Sequence, residues 1–359
     1  MKVIVGISGG VDSSVSALCL TQQGYEVEAL FMKNWHEDTE SGECSWEADV
    51  EDALQVCDTL NIPLNTVDLS ADYWDSVFST ILEDFKKGLT PNPDILCNQE
   101  IKFKAFHDHA LTLGADLIAT GHYARIDGDS KCNRLLKGVD VNKDQSYFLC
   151  RLNQEQLSRS LFPIGEMNKD DVRNIARDLN FKTHDKKDST GICFIGERPF
   201  KEFLGQFIPV NKGPIMTADG LLLGEHDGVY FYTIGQRQGL GIGGIRGNSG
   251  EPWYVIDKDK GENILFVAQG ENNELLYSSG VNSVNLHWIG HAPADYPYHC
   301  HAKTRYRQAD QACIIEYFDG NTARIVFKVP QRAVTPGQYI VFYDDEICLG
   351  GGVIASSFR

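Results

Sequence analysis

Gly6-Ile7-Ser8-Gly9-Gly10-Val11-Asp12-Ser13-Ser14 sets paired glycines, three hydroxyls and one carboxylate between the apolar run Val3 to Ile7 and the helix-spaced Val15, Ala17 and Leu18. A strand, a glycine loop and a helix in that order make a phosphate site. Glycine lets the backbone approach an anion, and the unpaired amides of the helix start hold its oxygens. Ser8, Ser13 and Ser14 add hydroxyl donors. In a Walker A loop a second glycine and a lysine would stand where Val11 and Asp12 are, so this loop is not built around a γ-phosphate lysine. An aspartate there suits a Mg²⁺ ion bridging pyrophosphate oxygens. A tight turn alone needs less: small residues would suffice.

A second group of reactive residue types lies further on. Thr90-Pro91-Asn92-Pro93-Asp94-Ile95-Leu96-Cys97-Asn98 reads as a loop entering a helix, with Asn92 as N-cap and Pro93 as the first helical residue. Cys97 then sits near a helix start, where the dipole lowers a thiol pKa from about 8.5 and favours thiolate. Asp94 lies one turn earlier on the same face. A second cysteine, Cys193, lies on the apolar run between Gly191 and Gly196. Taken singly, either cysteine is more often a small buried hydrophobe than a nucleophile.

The elements that must position these residues follow from the apolar pattern. Val3 to Ile7, Val27 to Met32, Leu64 to Leu69 and Leu117 to Thr120 read as strands with helix-length segments between them, the signature of a parallel α/β sheet. Met32 ends the second strand and Gly121 follows the fourth, and ligands of open α/β sheets lie beyond the carboxyl ends of strands. From about Asn211 the pattern shortens into alternating runs broken by glycine, as in Gly228 to Gly244, Trp253 to Asp257 and Ile264 to Ala268. Beyond Tyr277, the runs Ala312 to Phe318, Ala323 to Phe327 and Tyr339 to Tyr343 suggest a compact barrel. The expected organisation is an α/β domain over 1–208, a small β-rich domain over 209–275 and a C-terminal β-barrel over 276–359.

Composition narrows the function classes. The net charge of -17 argues against general attraction to nucleic acid or anionic membrane, so any RNA must be met locally. Residues 1–208 carry 21 Lys and Arg against 34 Asp and Glu, whereas residues 276–359 carry 7 of each. Ten cysteines without a CxxC pair make structural disulfides and zinc clusters poor expectations. No apolar run approaches the roughly 20 residues of a membrane span, and the opening MKVIVGISGG leads into a strand instead of a signal-peptide core, so the expected address is the cytoplasm.

Ser8-Gly9-Gly10-Val11-Asp12-Ser13 resembles the motif of the ATP pyrophosphatases, the PP-loop superfamily with an adenine nucleotide α-hydrolase-like fold. Taken with Asn92-Pro93-Asp94-x-x-Cys97-Asn98, Gly121-His122-Tyr123-Ala124, Lys143-Asp144-Gln145-Ser146-Tyr147 and Gly191-Ile192-Cys193-Phe194-Ile195-Gly196, it is similar to the bacterial tRNA-specific 2-thiouridylases. Tyr232-Thr233-Ile234-Gly235-Gln236-Arg237 through Gly243-Gly244, and Lys303-Thr304-Arg305-Tyr306-Arg307, extend the likeness over nearly the whole chain.

That resemblance implies a tRNA-uridine 2-sulfurtransferase that uses ATP with Mg²⁺ and carries no tightly bound metal or organic cofactor. The 2-carbonyl of the wobble uridine would be adenylated, and sulfur would then replace its oxygen, with AMP and pyrophosphate released. It implies that Cys193 holds the incoming sulfur as a persulfide, that Cys97 frees it by forming a transient disulfide, and that Asp94 is the acid/base. ATP would be held by Gly6, Ile7, Ser8, Gly9, Gly10, Val11, Asp12, Ser13, Met32 and Gly121. Asn92, Pro93 and Asp94 would meet the target base, and Lys143, Asp144, Gln145, Arg305 and Tyr306 other parts of the tRNA. The implied partners are tRNAs for lysine, glutamate and glutamine and a sulfur donor, either a cysteine desulfurase or a relay protein.

Other readings are weaker. Gly239-Leu240-Gly241-Ile242-Gly243-Gly244 has dinucleotide-fingerprint spacing, but Gly247, Gly250 and Pro252 break any helix after it. His287, His291, His299 and His301 crowd one stretch without an accompanying carboxylate pattern, which argues against a metal site. A synthetase of the amidotransferase type, adenylating a small substrate, would not need the cysteine pair, nor would an ATP-binding sensor that makes no AMP.

Overall fold

The computed structural model describes residues 1–35, 45–129, 132–187, 200–243 and 250–359. The chain opens with Lys2–Ile7 (β1), Val11–Gln22 (α1), Glu26–Lys33 (β2), Ser45–Leu60 (α2) and Leu64–Asp68 (β3). Leu117–Ala119 (β4), the hairpin of Ala124–Asp129 (β5) and Cys132–Lys137 (β6), and Ser160–Leu161 (β7) follow. Five of these strands form a parallel sheet in the order β3-β2-β1-β4-β7. The chain leaves β1 toward β2 and β3 on one side and returns through β4 to β7 on the other. A crevice therefore opens beyond the carboxyl ends of β1 and β4, where the strand order reverses.

Both faces of the sheet are covered at its centre, which is why β1 reads as an unbroken apolar run, whereas the edge strand β3 is half-exposed and mixes apolar with polar residues. Along β1, Val3, Val5 and Ile7 face a cluster with Val15, Ala29, Phe31 and Val172, while Ile4 faces another with Leu30, Ile101, Phe103 and Phe106. Each large apolar side chain buried in this way contributes about 1.5–3 kcal/mol. Four strands anticipated from the pattern, at 3–7, 27–32, 64–69 and 117–120, are found within a residue or two of those bounds.

Gly213–Thr217 (β8), Leu222–His226 (β9), Trp253–Asp259 (β10) and Ile264–Gln269 (β11) form a separate sheet in the order β10-β11-β8-β9. The alternating pattern over 228–243 does not become strand. Val229–Phe231 is a single 3₁₀ turn, and Gly235, Gly239 and Gly241 have φ of 85, 77 and 68°, left-handed values that end an extended run. Residue Gly244 lies outside the described residues.

Tyr277–Trp288 (β12), Tyr298–Lys303 (β13), Gln311–Phe318 (β14), Ala323–Arg332 (β15), Tyr339–Asp344 (β16) and Ile347–Phe358 (β17) pair in the order β12-β15-β14-β13-β16-β17. The antiparallel pairing of β12 with β17 closes them into a six-stranded barrel around Val281, Ile315, Ile325, Phe327, Ile340, Phe342 and Ile354. Closure leaves no free edge within the ring. The three-part architecture expected from the sequence is thus the one observed, with one addition. The β5–β6 hairpin, which belongs by sequence to the α/β part, pairs with β17 through Leu136–Ile347 and Leu135–Cys348. Among the described residues, no helix is long and apolar enough to cross a membrane.

Candidate active site

The glycine loop lies in the crevice at the end of β1. Helix α1 starts after Gly10, whose extended backbone provides no side-chain cap, so its first-turn amides are not met by a capping side chain. Ser13 Oγ donates to the Gly10 carbonyl at 3.0 Å, and the Ser8 amide donates to Ser13 Oγ at 3.2 Å. These bonds curl the loop into a cup for an anion.

Two glycines are fixed by crowding. Gly9 has φ +68°, and a Cβ there would stand 2.3 Å from the Asp49 carbonyl oxygen of α2. A Cβ on Gly121, just beyond β4, would stand 2.8 Å from the Ser13 amide nitrogen. The loop after β4 therefore presses against the start of α1, as its position in the strand order requires. Met32 is 8% exposed, and its Cε lies 3.5 Å from where a Cβ of Gly6 would be. Sequence reasoning placed Gly6 through Ser13, Met32 and Gly121 at one strand-end crevice, and the fold brings them together there.

Asp12 is more engaged than its sequence context suggests. Lys169 Nζ donates to its Oδ1 and Oδ2 at 2.8 and 2.7 Å, and the Tyr123 hydroxyl donates to Oδ1 at 2.7 Å. At the other end of the loop, Lys186 Nζ donates to the Gly9 carbonyl at 3.0 Å and to carboxylates of Asp49 and Asp52, both at 2.7 Å. Burial by itself would lower the Lys186 pKa, but the hydrogen bonds and charges of Asp49 and Asp52 together outweigh it and hold the pKa above the ordinary lysine value. Neither lysine was singled out from the sequence. They lie 157 and 177 residues from the loop atoms they touch, and a lysine among charged neighbours in sequence reads as a solvated face.

The cysteine-bearing helix begins as expected. Asn92 Oδ1 accepts from the Ile95 amide at 3.2 Å, and Pro93 occupies the first turn. Asn92→Ala is expected to cost about 1 kcal/mol, seen as a lowered midpoint of thermal unfolding; an unchanged midpoint would show that the cap is redundant. From Cys97 to Ala105 the helix widens to i→i+5 bonding, and the Phe106 amide reaches back to the Ile101 carbonyl. Such wide turns often mark functional positions. Cys97 is fully buried, packed with Ile95, Ile101 and Phe106, and the Phe106 ring lies 3.4 Å from the Cβ position of Gly6. One helix thus joins Cys97 to the strand that leads into the glycine loop.

The barrel grips the loop before this helix. The Thr90 amide donates to the Pro336 carbonyl at 3.0 Å, and Gln338 Nε2 donates to the Thr90 and Pro91 carbonyls at 2.9 and 3.2 Å. The segment around Lys143 forms a second strap. Asp144 is buried and accepts from the Gly138 and Ser146 amides and, at 3.5 Å, from Lys303 Nζ of the barrel. Gln145 exchanges bonds with the backbone of Tyr123, whose hydroxyl holds Asp12. Tyr306 places its ring 4.3 Å from that of Phe148 and its hydroxyl 3.4 Å from the Lys143 carbonyl. Arg305 is exposed overall, yet its Nη2 donates to the carbonyls of Ile234 and Ala333 at 3.0 and 2.8 Å. The two segments separated in sequence, 143–145 and 305–306, are therefore one surface. His287, from the histidine-rich stretch, spends Nε2 on the Leu152 carbonyl at 2.9 Å, another contact between barrel and α/β part.

Cys193 and its glycine-bounded run lie outside the described residues.

Three family models match the chain: the tRNA methyl transferase HUP domain over residues 1–197, the tRNA methyl transferase PRC-barrel domain over 201–269 and the aminomethyltransferase beta-barrel domain over 278–354. The tRNA-specific 2-thiouridylase MnmA of Alkaliphilus oremlandii is 54% identical over 98% of this chain and 96% of its own. Its counterpart in Serratia proteamaculans is 57% identical over 98% and 96%, and that of Aeromonas salmonicida 56% over 100% and 97%. The two sets of names differ in the group transferred. The near full-length identity decides between them, because it spans all three matched regions.

Proposed function

The chain belongs to the family of the tRNA-specific 2-thiouridylases, and from that membership we infer that it is a tRNA-uridine 2-sulfurtransferase making 2-thiouridine. The observation that carries this reading beyond likeness is the single helix that packs Phe106 over Gly6 of the nucleotide strand and holds Cys97 at its other end. Activation and sulfur transfer need those two parts in one body.

The nucleotide is ATP, its phosphates on the loop Gly6–Ser13 and its remainder against Met32 and Gly121. Hard oxygen donors suit the Mg²⁺ that accompanies ATP, and the loop offers Asp12 with Ser8 and Ser13. That ion would offset phosphate charge; the chain's own part is to fix the α-phosphate before the uridine. The uridine 2-oxygen attacks the α-phosphorus, the bond to the bridging oxygen breaks, and pyrophosphate leaves with its electron pair. Carbon 2 then carries an adenylate, a far better leaving group than a carbonyl oxygen.

Sulfur arrives on Cys193 as a persulfide. Its terminal sulfur attacks carbon 2, Cys97 takes the inner sulfur of Cys193 to form a disulfide, and AMP departs; an external reductant, a thiol or thioredoxin-type protein, resets the pair. Asp94, one turn before Cys97, moves the proton at the base. Asn92 and Pro93 shape the pocket around that base. Lys143, with Asp144 and Gln145 behind it, and Arg305 with Tyr306 form the further tRNA surface, where a cation and an aromatic ring suit unpaired nucleotides. We assign catalysis to 1–208, with 209–275 and 276–359 as the β-rich and barrel domains. The acceptors are tRNAs for lysine, glutamate and glutamine, the sulfur comes from a desulfurase or relay protein, and the setting is the cytoplasm.

Incubation with Mg-ATP, a persulfide donor, a thiol reductant and unmodified tRNA, followed by nucleoside mass spectrometry and AMP assay, tests this reading. It predicts 2-thiouridine at the wobble position and AMP formed only with tRNA. AMP without a thionucleoside would reject the assignment of substrate.

A further inference from the structure

The nucleotide loop has no lysine of its own, yet the fold brings one to it from the far end of the α/β part. Lys169 is the first residue of the helix Lys169–Asp178, and its side chain is 9% exposed. Its ammonium sits symmetrically on Asp12, 2.8 and 2.7 Å from the two oxygens, and its amide is fixed by Asp140 Oδ2 at 3.0 Å. Tyr123 supports the same carboxylate through its hydroxyl at 2.7 Å, and the ammonium lies 5.7 Å from the centre of the Tyr123 ring. Asp12 itself is 30% exposed, so its carboxylate is not sealed off from a ligand entering the crevice.

A secluded ion pair is costly to break unless both charges find new partners at the same moment. A nucleotide with its divalent cation brings the required pair: a cation for the carboxylate and phosphate oxygens for the ammonium. We propose that Lys169 is the phosphate lysine of this site, exchanging Asp12 for the β- and γ-phosphates when Mg-ATP enters. This rests on the nucleotide reading given above. In the activation step the bond from the α-phosphorus to the bridging oxygen breaks and its electron pair goes to pyrophosphate. The ammonium keeps its proton throughout and opposes the charge gathering on that leaving group, where a fixed cation in a secluded site acts most strongly. AMP lacks the β- and γ-phosphates, so it gains nothing from Lys169.

The test is binding of AMP and of Mg-ATP to the full chain by calorimetry, without tRNA or sulfur donor, for the wild type, Lys169→Met and Lys169→Arg. The methionine variant is expected to bind Mg-ATP at least tenfold more weakly while AMP binding changes less than twofold, and arginine is expected to restore part of the difference. In tRNA-dependent AMP formation, kcat should fall more than KM rises. Equal weakening of AMP and Mg-ATP would reduce Lys169 to a prop for the loop and overturn the proposal; so would an unchanged ratio. Lys169→Gln, which still donates to Asp12 but carries no charge, is read by the same ratio if the methionine variant does not fold. A wild-type protein with no preference for Mg-ATP over AMP would overturn the nucleotide reading itself, whereas failure to thiolate tRNA would leave this binding result intact.

Discussion

Cys97→Ser and Cys193→Ser are each expected to reduce 2-thiouridine to background while leaving Mg-ATP binding unchanged. Serine preserves size and hydrogen bonding at Cys97, which is fully buried beside Ile95 and Ile101, so the helix should keep its packing. What it removes is the ability to exchange with a sulfur–sulfur bond, since an alkoxide cannot replace a thiolate in that chemistry. tRNA-dependent pyrophosphate should therefore still be released in both variants, because adenylation precedes the sulfur attack that expels AMP. Thiolation at the wild-type rate in either variant would remove the two-cysteine scheme. Two other cysteines, outside the motifs that carry the resemblance, serve as controls. Burial pushes the Cys57 thiol up to about 11, with the neighbouring Asp58 adding to it, and the Cys150 thiol up to about 12. Thiols held protonated in this way are inert at neutral pH, so Cys57→Ala and Cys150→Ala should retain thiolation at a modest loss of stability.

Gly9→Ala is expected to abolish measurable Mg-ATP binding in a protein that remains folded. The substitution has two faults at one position. A left-handed φ of +68° disfavours any side chain, by roughly 1–2 kcal/mol. The new Cβ would also fall 2.3 Å from the Asp49 carbonyl oxygen and 2.9 Å from its neighbouring carbons, all backbone atoms at the start of α2. Relief of that clash must move either the loop or α2, and Lys186 ties both together through Gly9, Asp49 and Asp52. The cup loses its shape in either case. Gly24→Ala is the matched control, because its φ of +82° is equally left-handed but nothing lies within 4 Å of the new carbon. It should lower stability alone. Equal nucleotide affinity in the two variants would mean that the contact with α2 does not shape the loop.

Features encoded over a few neighbouring residues were legible in the sequence. The strands at 3–7 and 117–120 announced themselves because a sheet covered on both faces needs apolar runs, and those at 27–32 and 64–69 as short apolar-rich segments between helix-length stretches. Asn92 and Pro93 marked a helix start because capping is a local bargain between one side chain and an amide three residues on. The glycine loop stood out for the same reason: its glycines, serines and Asp12 are consecutive residues. The barrel, too, was visible as strands, although its closure between β12 and β17 was not.

The tertiary structure alone decided which distant groups would meet. No spacing along the chain pairs Lys169 with Asp12, Lys186 with Gly9, or Gln145 with Tyr123, since ion pairs and hydrogen bonds of that span leave no periodic trace. The same is true of Arg305, a tRNA contact by resemblance, which the fold ties to the Ile234 and Ala333 carbonyls. The run at 228–243 misled for a different reason. Its alternation matches a strand, but Gly235, Gly239 and Gly241 adopt left-handed φ values that a hydropathy pattern cannot register. Sequence thus determined the chemistry this chain carries and the elements that bear it, because both are written in short-range order. Which charges meet the glycine loop, and how the barrel holds the loop before the helix of Cys97, were settled only by packing over more than a hundred residues of intervening chain.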